Sequence, residues 1–306
     1  MTILESYAGE IAAFGAVFCW TLGSQTIEAA SKRVGSQSVN LLRLVVSVVV
    51  LTTYLFITQG EVLPCDFPED AWGWLALSGF LGLFLGDMCL FAAFVEIGPR
   101  LTMLIMCLTA PLSAFIDWIF RHEIYSNMQW IGMLLTILGV AWVILERPPA
   151  KNKLGQKKFR TLSVKGVLLA LGGVIGQSFG SVVGKHGMGQ LSYMQATQIR
   201  LIAALVAFIV LFTILGWWSR IVLAIKFKTS MVYITFSGIV GTTLGIGLSM
   251  KAFQLTSMGN ATTIISTVPI FLIPFAIFLH KEHVSPKNVL ATFLAFAGIY
   301  LMVNGG

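Results

Sequence analysis

One acidic residue, Asp87, lies inside a long apolar stretch with the sequence LGLFLGDMCLFAAF. A charged side chain inside a membrane is energetically expensive, so Asp87 is a candidate to carry a proton or cation or to bind a substrate ammonium group. The alternative is a structural hydrogen bond to a neighbouring helix. Lys251, in GIGLSMKAFQ, is the complementary case. It could hold a substrate carboxylate or phosphate, or it could extend from the end of its helix to the membrane surface.

Polar and aromatic side chains form a second candidate group in two other apolar stretches. They recur at spacings of three to five residues, which puts several of them on one helix face: Trp20, Ser24 and Gln25 in one stretch, and Gln177, Ser181 and Lys185 in the other. An aromatic wall with amide and hydroxyl groups suits a small polar or zwitterionic solute. The alternative is hydrogen bonding between helices, which Ser and Gln provide in any bundle, with Trp at the membrane interface.

The remaining charged residues in apolar stretches indicate structural roles. Arg43 and Arg200 occupy similar positions, and their symmetry favours bonding to helix-end carbonyls, to an acidic partner or to lipid headgroups. A Glu28–Arg43 pair is expected because both should lie at a similar depth. No spacing typical of a metal site, a catalytic triad or a phosphate-binding loop occurs, and the histidines fall near helix ends or in loops. The sequence therefore predicts no cofactor and disfavours an intramembrane enzyme.

The composition identifies the elements that position these residues. Of the 306 residues, 57% are hydrophobic and only 11% are charged, whereas about a quarter are charged in a soluble domain. Apolar runs near the length of about 20 residues that crosses a bilayer predict an all-α polytopic membrane protein with ten transmembrane helices. The predicted helices are 8–31, 39–58, 71–95, 101–120, 128–146, 164–187, 195–217, 231–254, 260–279 and 287–304.

The two halves of the chain repeat each other. Residues 15–44 align without a gap on residues 172–201, and LSGFLGLFLG at 77–86 aligns on FSGIVGTTLG at 236–245. The predicted division is a first five-helix repeat at 1–147, a basic linker at 148–163 and a second five-helix repeat at 164–306. Because each repeat has an odd number of helices, the copies should lie inverted in the membrane, with a substrate site between them near the midplane. Asp87 aligns with Ile246, so the symmetry of the fold does not require the carboxylate.

A proline recurs in the fourth helix of each half, at Pro111 and Pro269. A proline frees a backbone carbonyl and kinks a helix, which predicts a hinge for gating in each half. The alternative is static packing. The small residues of 77–86 and 236–245 predict close approach and sliding of neighbouring helices.

Several of these segments resemble the EamA-type branch of the drug/metabolite transporter superfamily. The similar segments are APLSAFIDWIFRHE…IGMLLTILGV and VPIFLIPFAIFLHKE…LATFLAFAGI, with an arginine early in the second helix of each half (NLLRLVVS and TQIRLIAA). The resemblance implies transport of amino acids, other small metabolites, sugars or drugs, often as export and in exchange with protons or another solute. A channel or lipid scramblase is the alternative. The expected partners are a small-molecule substrate and membrane lipids, with no nucleic acid, in a monomer or homodimer.

The segment from Arg147 to Lys165, which contains the linker, carries seven basic residues and no acidic one. Other basic loop residues fall on the same side of the membrane, whereas the opposite side holds the acidic loop with Glu61, Asp66, Glu69 and Asp70. The positive-inside rule therefore predicts a cytoplasmic linker and both termini outside. This differs from the resemblance, which implies termini in the cytoplasm. The expected location of such a transporter is the plasma (inner) membrane.

Overall fold

The computed structural model describes residues 7–60, 62–63, 69–121, 125–145, 149–151, 157–159, 163–189, 191–256, 261, 264–278 and 286–304. Six helices in this part of the chain are long and apolar enough to cross a membrane: Ser36–Gln59, Asp70–Ile97, Pro99–Phe120, Val164–Met188, Tyr193–Ile214 and Lys228–Leu255. Asn127–Trp142 and Val289–Leu301 are shorter apolar helices. The fold is that of an all-helical membrane protein, and the total of ten crossings stays a prediction.

The first half is built almost entirely of helix. Its elements are α1 Ala8–Val34, α2 Ser36–Gln59, α3 Glu69–Ser78, the π-helix π1 Gly79–Gly86, α4 Asp87–Ile97, α5 Pro99–Met106, α6 Thr109–Arg121 and α7 Asn127–Leu145. Gly35 separates α1 from α2 with a φ of 86°, and Gly98 separates α4 from α5 with a φ of 80°. Only glycine adopts such positive φ values without steric cost, so both turns depend on it.

The second half follows a short hairpin in the linker. Strands β1 Pro149–Lys151 and β2 Lys157–Phe159 pair antiparallel, with Ala150 opposite Lys158. The helices are α8 Val164–Met188, α9 Tyr193–Ile214, α10 Trp218–Lys226, α11 Lys228–Phe236, the π-helix π2 Ser237–Leu244, α12 Gly245–Leu255, α13 Val268–Phe278 and α14 Pro286–Asn304. Ser163 caps α8 by accepting a hydrogen bond from the backbone of Gly166 at 3.2 Å. The sequence predicted neither the hairpin nor α10.

The two π-helices lie at equivalent positions in the two halves. Each runs continuously from an α-helix before it into another after it, so α3, π1 and α4 form one long element, as do α11, π2 and α12. π-helical turns are rare and are found frequently at functional sites. The glycine-rich sequences at 77–86 and 236–245 were predicted to allow close helix contact, but the change of helix type was not predicted.

The first helix of each half packs against the π-helical element of the other half. Gly180 in α8 faces Gly82 in π1 so closely that a Cβ at position 180 would lie 2.7 Å from the Cα of Gly82. In the same way, a Cβ at Gly23 in α1 would lie 2.9 Å from the Cα of Gly241 in π2. The two halves therefore meet through paired glycine contacts, which hold the backbones closer than larger residues allow.

The last helix of each half forms a separate close pair, α7 with α14. A Cβ at Gly139 would lie 2.5 Å from the backbone nitrogen of Ala295, and one at Gly298 would lie 2.5 Å from the carbonyl oxygen of Gly132. The hydroxyl of Thr136 donates to the carbonyl of Ala295 at 3.3 Å. This pair completes the contact between the halves.

Both predicted hinge prolines follow an interruption in a helix. Pro111 lies in the first turn of α6, after a turn at Cys107 and Leu108. Pro269 is the second residue of α13, after a turn at residues 266 and 267. Proline is tolerated in the first turn of a helix because the backbone N–H that it lacks has no partner there. Each proline therefore follows a break between two helices and does not kink a continuous helix as expected. A role of these prolines in gating stays a prediction.

Candidate functional site

Asp87 is the centre of a buried polar network between the two halves. It begins α4 directly after π1 and is only 4% exposed. Gln177 in α8 donates from Nε2 to Oδ1 of Asp87 at 2.7 Å, and Arg43 in α2 donates from Nη2 to Oδ2. The hydrogen bond to a neighbouring helix, which was one of the two expected roles of Asp87, is therefore present, and it joins residues from both repeats.

Arg43 uses each of its three nitrogen atoms in hydrogen bonds. Nε and Nη2 donate to Oδ1 of Asn40 at 3.1 and 3.0 Å, and Nη1 donates to the hydroxyl of Thr242 at 2.7 Å. Its Cζ lies 4.4 Å from the ring centroid of Phe91, a cation–π distance. Asn40 also donates to the backbone carbonyl of Asp87 at 3.0 Å. The Arg43 charge is therefore both neutralised and fixed in place.

The expected pairing of Glu28 with Arg43 is wrong. Glu28 accepts a hydrogen bond from Lys32, one turn further along α1, with Nζ and Oε1 2.5 Å apart. Arg43 instead pairs with Asp87. The pair was predicted from similar depth in the membrane, but depth does not fix which helix faces turn toward each other.

Arg200, in α9, is as buried as Arg43 but has far fewer partners. Both arginines are 3% exposed. Nη1 of Arg200 donates to the sulfur of Met250 at 3.2 Å, and Nε has no hydrogen-bond partner among the residues that the structure describes. Arg200 also interacts electrostatically with Asp87. The structure shows no ion pair between these two described residues, since none of their side-chain nitrogen and oxygen atoms approach within 4.0 Å. A thioether is a weak acceptor, so most of the hydrogen-bonding capacity of this guanidinium is unused.

The repeat explains the difference between the two arginines. Residues 15–44 align on 172–201, and residues 77–86 align on 236–245. When the second alignment is continued along the helix, each neighbour of Arg43 has an equivalent position in the other half. Phe91 corresponds to Met250, and both contact their arginine. The three polar partners of Arg43 are replaced by Thr, Ile and Leu: Asn40 corresponds to Thr197, Asp87 to Ile246 and Thr242 to Leu83. The second half thus contains a copy of the arginine site without its acid.

A central cavity of about 150 Å³ adjoins both arginines. Its polar lining includes the side chains of Arg43, Asp87, Gln177, Arg200 and Thr242. Most of its wall is apolar, with contributions from both halves that include Leu83, Phe91, Phe94, Met103, Ile246 and Phe253. A cavity with a few convergent polar groups in an apolar wall is the usual form of a small-molecule site.

Five of the eight predicted binding residues line this cavity. They are Trp20, Ser24, Asp87, Gln177 and Ser181, and they come from α1, α4 and α8. The hydroxyl of Ser24 donates to the carbonyl of Thr21 at 2.9 Å within its own helix. Trp20 packs so tightly on the start of α12 that a Cβ at Gly245 would lie 2.6 Å from its indole nitrogen. The hinge candidate Pro269 also lines the cavity.

The other three predicted binding residues lie elsewhere. Gln25, Lys185 and Lys251 are not part of the cavity lining. Lys251 places its Nζ 5.7 Å from the ring centroid of Tyr193, where a cation–π contact holds it. The hinge candidate Pro111 is also outside the lining.

Arg43, Arg200 and Thr242 were missed as cavity residues. The arginines were assigned structural roles because they are symmetric, and Thr242 lies in a glycine-rich segment that was interpreted only as packing. A signal was present, because the arginines are repeated while Asp87 is not. Comparing each arginine's neighbours through the repeat would have identified the asymmetry.

These features define a polytopic helical membrane protein whose two similar halves enclose a mainly apolar cavity with a few polar side chains. The model of the EamA-like transporter family matches residues 7–145 and 164–304, which together cover most of the chain. The chain therefore belongs to the EamA-like transporter family, as the sequence resemblance implied. It is a multi-pass membrane protein of a transporter family in the drug/metabolite superfamily.

Two further similarities agree with this assignment. An uncharacterized membrane protein of Saccharomyces cerevisiae is 22% identical over 196 residues, which cover 61% of this chain and 47% of the yeast protein. The chain thus matches about half the length of that relative. A protein of solved crystal structure is similar over 96% of both chains, with a TM-score of 0.63 and 15% identity. This second likeness concerns the fold alone.

Proposed function

We propose that this protein is a secondary active transporter that moves a small metabolite through the central cavity by alternating access. The observation that carries the proposal is the buried network of Arg43, Asp87 and Gln177. It lies against the cavity and joins residues of both halves. In secondary transporters built from two repeats, the substrate site lies at the interface of the repeats near the bilayer midplane.

The paired glycine contacts support movement of the halves against each other. At these contacts the helix backbones lie close together without interlocking side chains, because Gly180 faces Gly82 and Gly23 faces Gly241. Interfaces of small residues allow helices to approach closely, and such contacts leave room for them to slide. The breaks before Pro111 and Pro269 provide a place for each half to bend. Inverted orientation of the repeats is part of this proposal.

The direction and coupling of transport are also proposed. We infer export of a small polar solute across the plasma membrane, coupled to protons or to exchange with a second solute. Asp87 is the candidate for coupling because any change in its charge alters the pairing of Arg43. The linker is proposed to be cytoplasmic and both termini to be outside, on the basis of the loop charges. Membrane lipids surround the protein, which would act as a monomer or homodimer.

Flux measurements in proteoliposomes test the proposal. Purified protein is reconstituted and supplied with labelled monocarboxylates, amino acids, sugars and nucleotide derivatives, one class at a time. We expect saturable uptake of at least one class that is accelerated by the same solute inside the vesicle. Uptake that does not saturate, and whose rate does not depend on the solute inside the vesicle, would favour a channel or scramblase.

A further inference from the structure

The charged groups that line the cavity do not balance. Within the described part of the chain, they are the guanidinium groups of Arg43 and Arg200 and the carboxylate of Asp87. Arg43 forms an ion pair with Asp87, and Arg200 interacts with Asp87 only at longer range, so the three groups leave one net positive charge. An uncompensated charge in the interior of a protein is strongly destabilising. The cavity as it stands therefore lacks one negative charge.

The repeat shows where the negative charge is missing. Asp87 supplies the acid for Arg43, whereas the residue of the second half that aligns with Asp87 is Ile246, which lines the cavity together with Arg200. Within the described ranges, Nε of Arg200 is buried without a hydrogen-bond partner, and Nη1 donates only to the Met250 sulfur. No side chain lies between the guanidinium and α8 at Gly184, where a Cβ would be in van der Waals contact at 3.6 Å from both Cζ and Nε of Arg200.

We propose that the solute is a small monocarboxylate whose carboxylate group binds Arg200, as the carboxylate of Asp87 binds Arg43. A guanidinium binds a carboxylate through two parallel hydrogen bonds, which matches the unused donors of Arg200. The inference rests on the proposed function, because it names the class of solute that the same cavity transports.

The size and lining of the cavity restrict the rest of the solute. A cavity of about 150 Å³ holds a molecule of roughly the size of benzene. The mainly apolar wall suits a short aliphatic group and offers few partners for further polar groups. A zwitterionic amino acid fits less well, because it has no net charge and the only acid in the described lining, Asp87, already accepts hydrogen bonds at both oxygens.

Three matched probes test this assignment on the unmodified protein. Isobutyrate, its neutral amide isobutyramide and the zwitterion 2-aminoisobutyrate differ mainly in charge. The unfolding temperature of the full-length protein in detergent is measured while the concentration of each probe is raised. We expect isobutyrate to stabilise the protein, with an apparent affinity about 10-fold or more above that of the other two. Equal stabilisation by the amide, or stronger stabilisation by the zwitterion, would overturn the proposal, as would the absence of any effect of isobutyrate, propionate or 2-oxobutyrate.

Two substitutions test the location of the carboxylate. Arg200→Gln removes the guanidinium and is expected to weaken the isobutyrate effect about 10-fold or more. Ile246→Asp supplies the missing acid from the protein, so the unliganded unfolding temperature should rise and the isobutyrate effect should be lost. Arg220→Gln, in α10 and outside the cavity, is the matched control and should respond as the wild type does. If Arg200→Gln still responds to isobutyrate like the wild type, Arg200 does not bind the carboxylate.

Failure of this inference can be distinguished from failure of the proposed function. Saturable transport of a neutral or cationic solute, without competition by isobutyrate, would refute the assignment of a monocarboxylate solute. The proposal that the protein is a transporter would still stand. Stabilisation by isobutyrate without saturable flux of any solute would refute transport and leave the binding site intact.

Discussion

Arg43 and Arg200 are equivalent residues of the two repeats, but only Arg43 forms an ion pair with Asp87 among the residues that the structure describes. Both guanidinium groups are buried at 3% exposure and both line the central cavity. The fold is therefore symmetric at the level of the helices and asymmetric in the charge that the cavity contains. This asymmetry distinguishes an arginine that has an acidic partner from one that forms no ion pair among the described residues.

Removal of Arg43 should destabilise the protein, whereas removal of Arg200 should not. Arg43→Gln leaves Asp87 without its ion-pair partner and removes bonds to Asn40 and Thr242, so we expect a loss of about 3–5 kcal/mol. Arg200→Gln removes an uncompensated charge and should leave the unfolding temperature equal or higher. Thermal unfolding of the purified variants in detergent measures both effects. Equal destabilisation by the two substitutions would show that Arg200 is also paired.

Asp87→Asn should destabilise the protein and abolish transport. The substitution leaves two buried guanidinium groups with no carboxylate in the described cavity lining. A second substitution in the same protein, Arg43→Gln, removes one of these charges, so the double variant should be more stable than the sum of the single effects predicts. A double-mutant cycle of unfolding temperatures measures this coupling. Strict additivity would show that the ion pair contributes nothing to stability.

Enlarging a glycine at the contact between the halves should impair both packing and flux. Gly180→Ala places a Cβ 2.7 Å from the Cα of Gly82, so the two backbones must separate. We expect a cost of about 1–3 kcal/mol together with slower transport. The control is Gly73→Ala in α3, where a Cβ meets nothing within 4 Å and the better helix propensity of Ala should be neutral or slightly stabilising.

Pro269→Ala tests the proposed hinge at the cavity. Because Pro269 is in the first turn of α13, its replacement should change stability by less than about 1 kcal/mol. If the break before α13 bends during transport, the variant should lower the rate of turnover several-fold and change the apparent affinity little. Pro286→Ala, at the first residue of α14, is the matched control. An unchanged turnover rate in Pro269→Ala would exclude this proline from gating.

Labelling at the linker tests the orientation. Lys157→Cys is introduced into a protein without its native cysteines Cys19, Cys65, Cys89 and Cys107. An impermeant thiol reagent should label it only after the cells are opened, because the basic linker is expected in the cytoplasm. Labelling in intact cells would show that the orientation is the opposite one, with both termini inside.

The helices were predictable from the sequence because long apolar runs have few alternatives in a membrane. α1, α2, α7, α8 and α14 begin and end within a few residues of the predicted positions. The breaks before Pro111 and Pro269 were predicted only as kinks. A proline indicates that a helix is interrupted nearby, but it does not determine whether the helix bends or ends there. The π-helices at 79–86 and 237–244 were not anticipated, because their hydrogen-bond pattern depends on contacts with other helices.

The candidate site was only partly predictable. Trp20, Ser24, Gln177 and Ser181 were placed together because the repeat relates α1 to α8, and all of them line the cavity. The partner of Asp87 was not found, because the rotation of α2 about its axis cannot be derived from apolar periodicity in a helix that is apolar on nearly every face. Lys251 was a reasonable candidate by depth, but its side chain points to Tyr193 and away from the cavity lining.

Transport by alternating access requires the cavity to open in turn to each side of the membrane. Ser181→Cys, in the cysteine-free protein, places a single thiol in the cavity wall. An impermeant thiol reagent is applied to right-side-out and to inside-out vesicles, with the cysteine-free parent as the control. Labelling from both sides, slowed in each case by the transported solute, is the predicted result. Labelling from one side only, with no protection by any transported solute, would contradict the account.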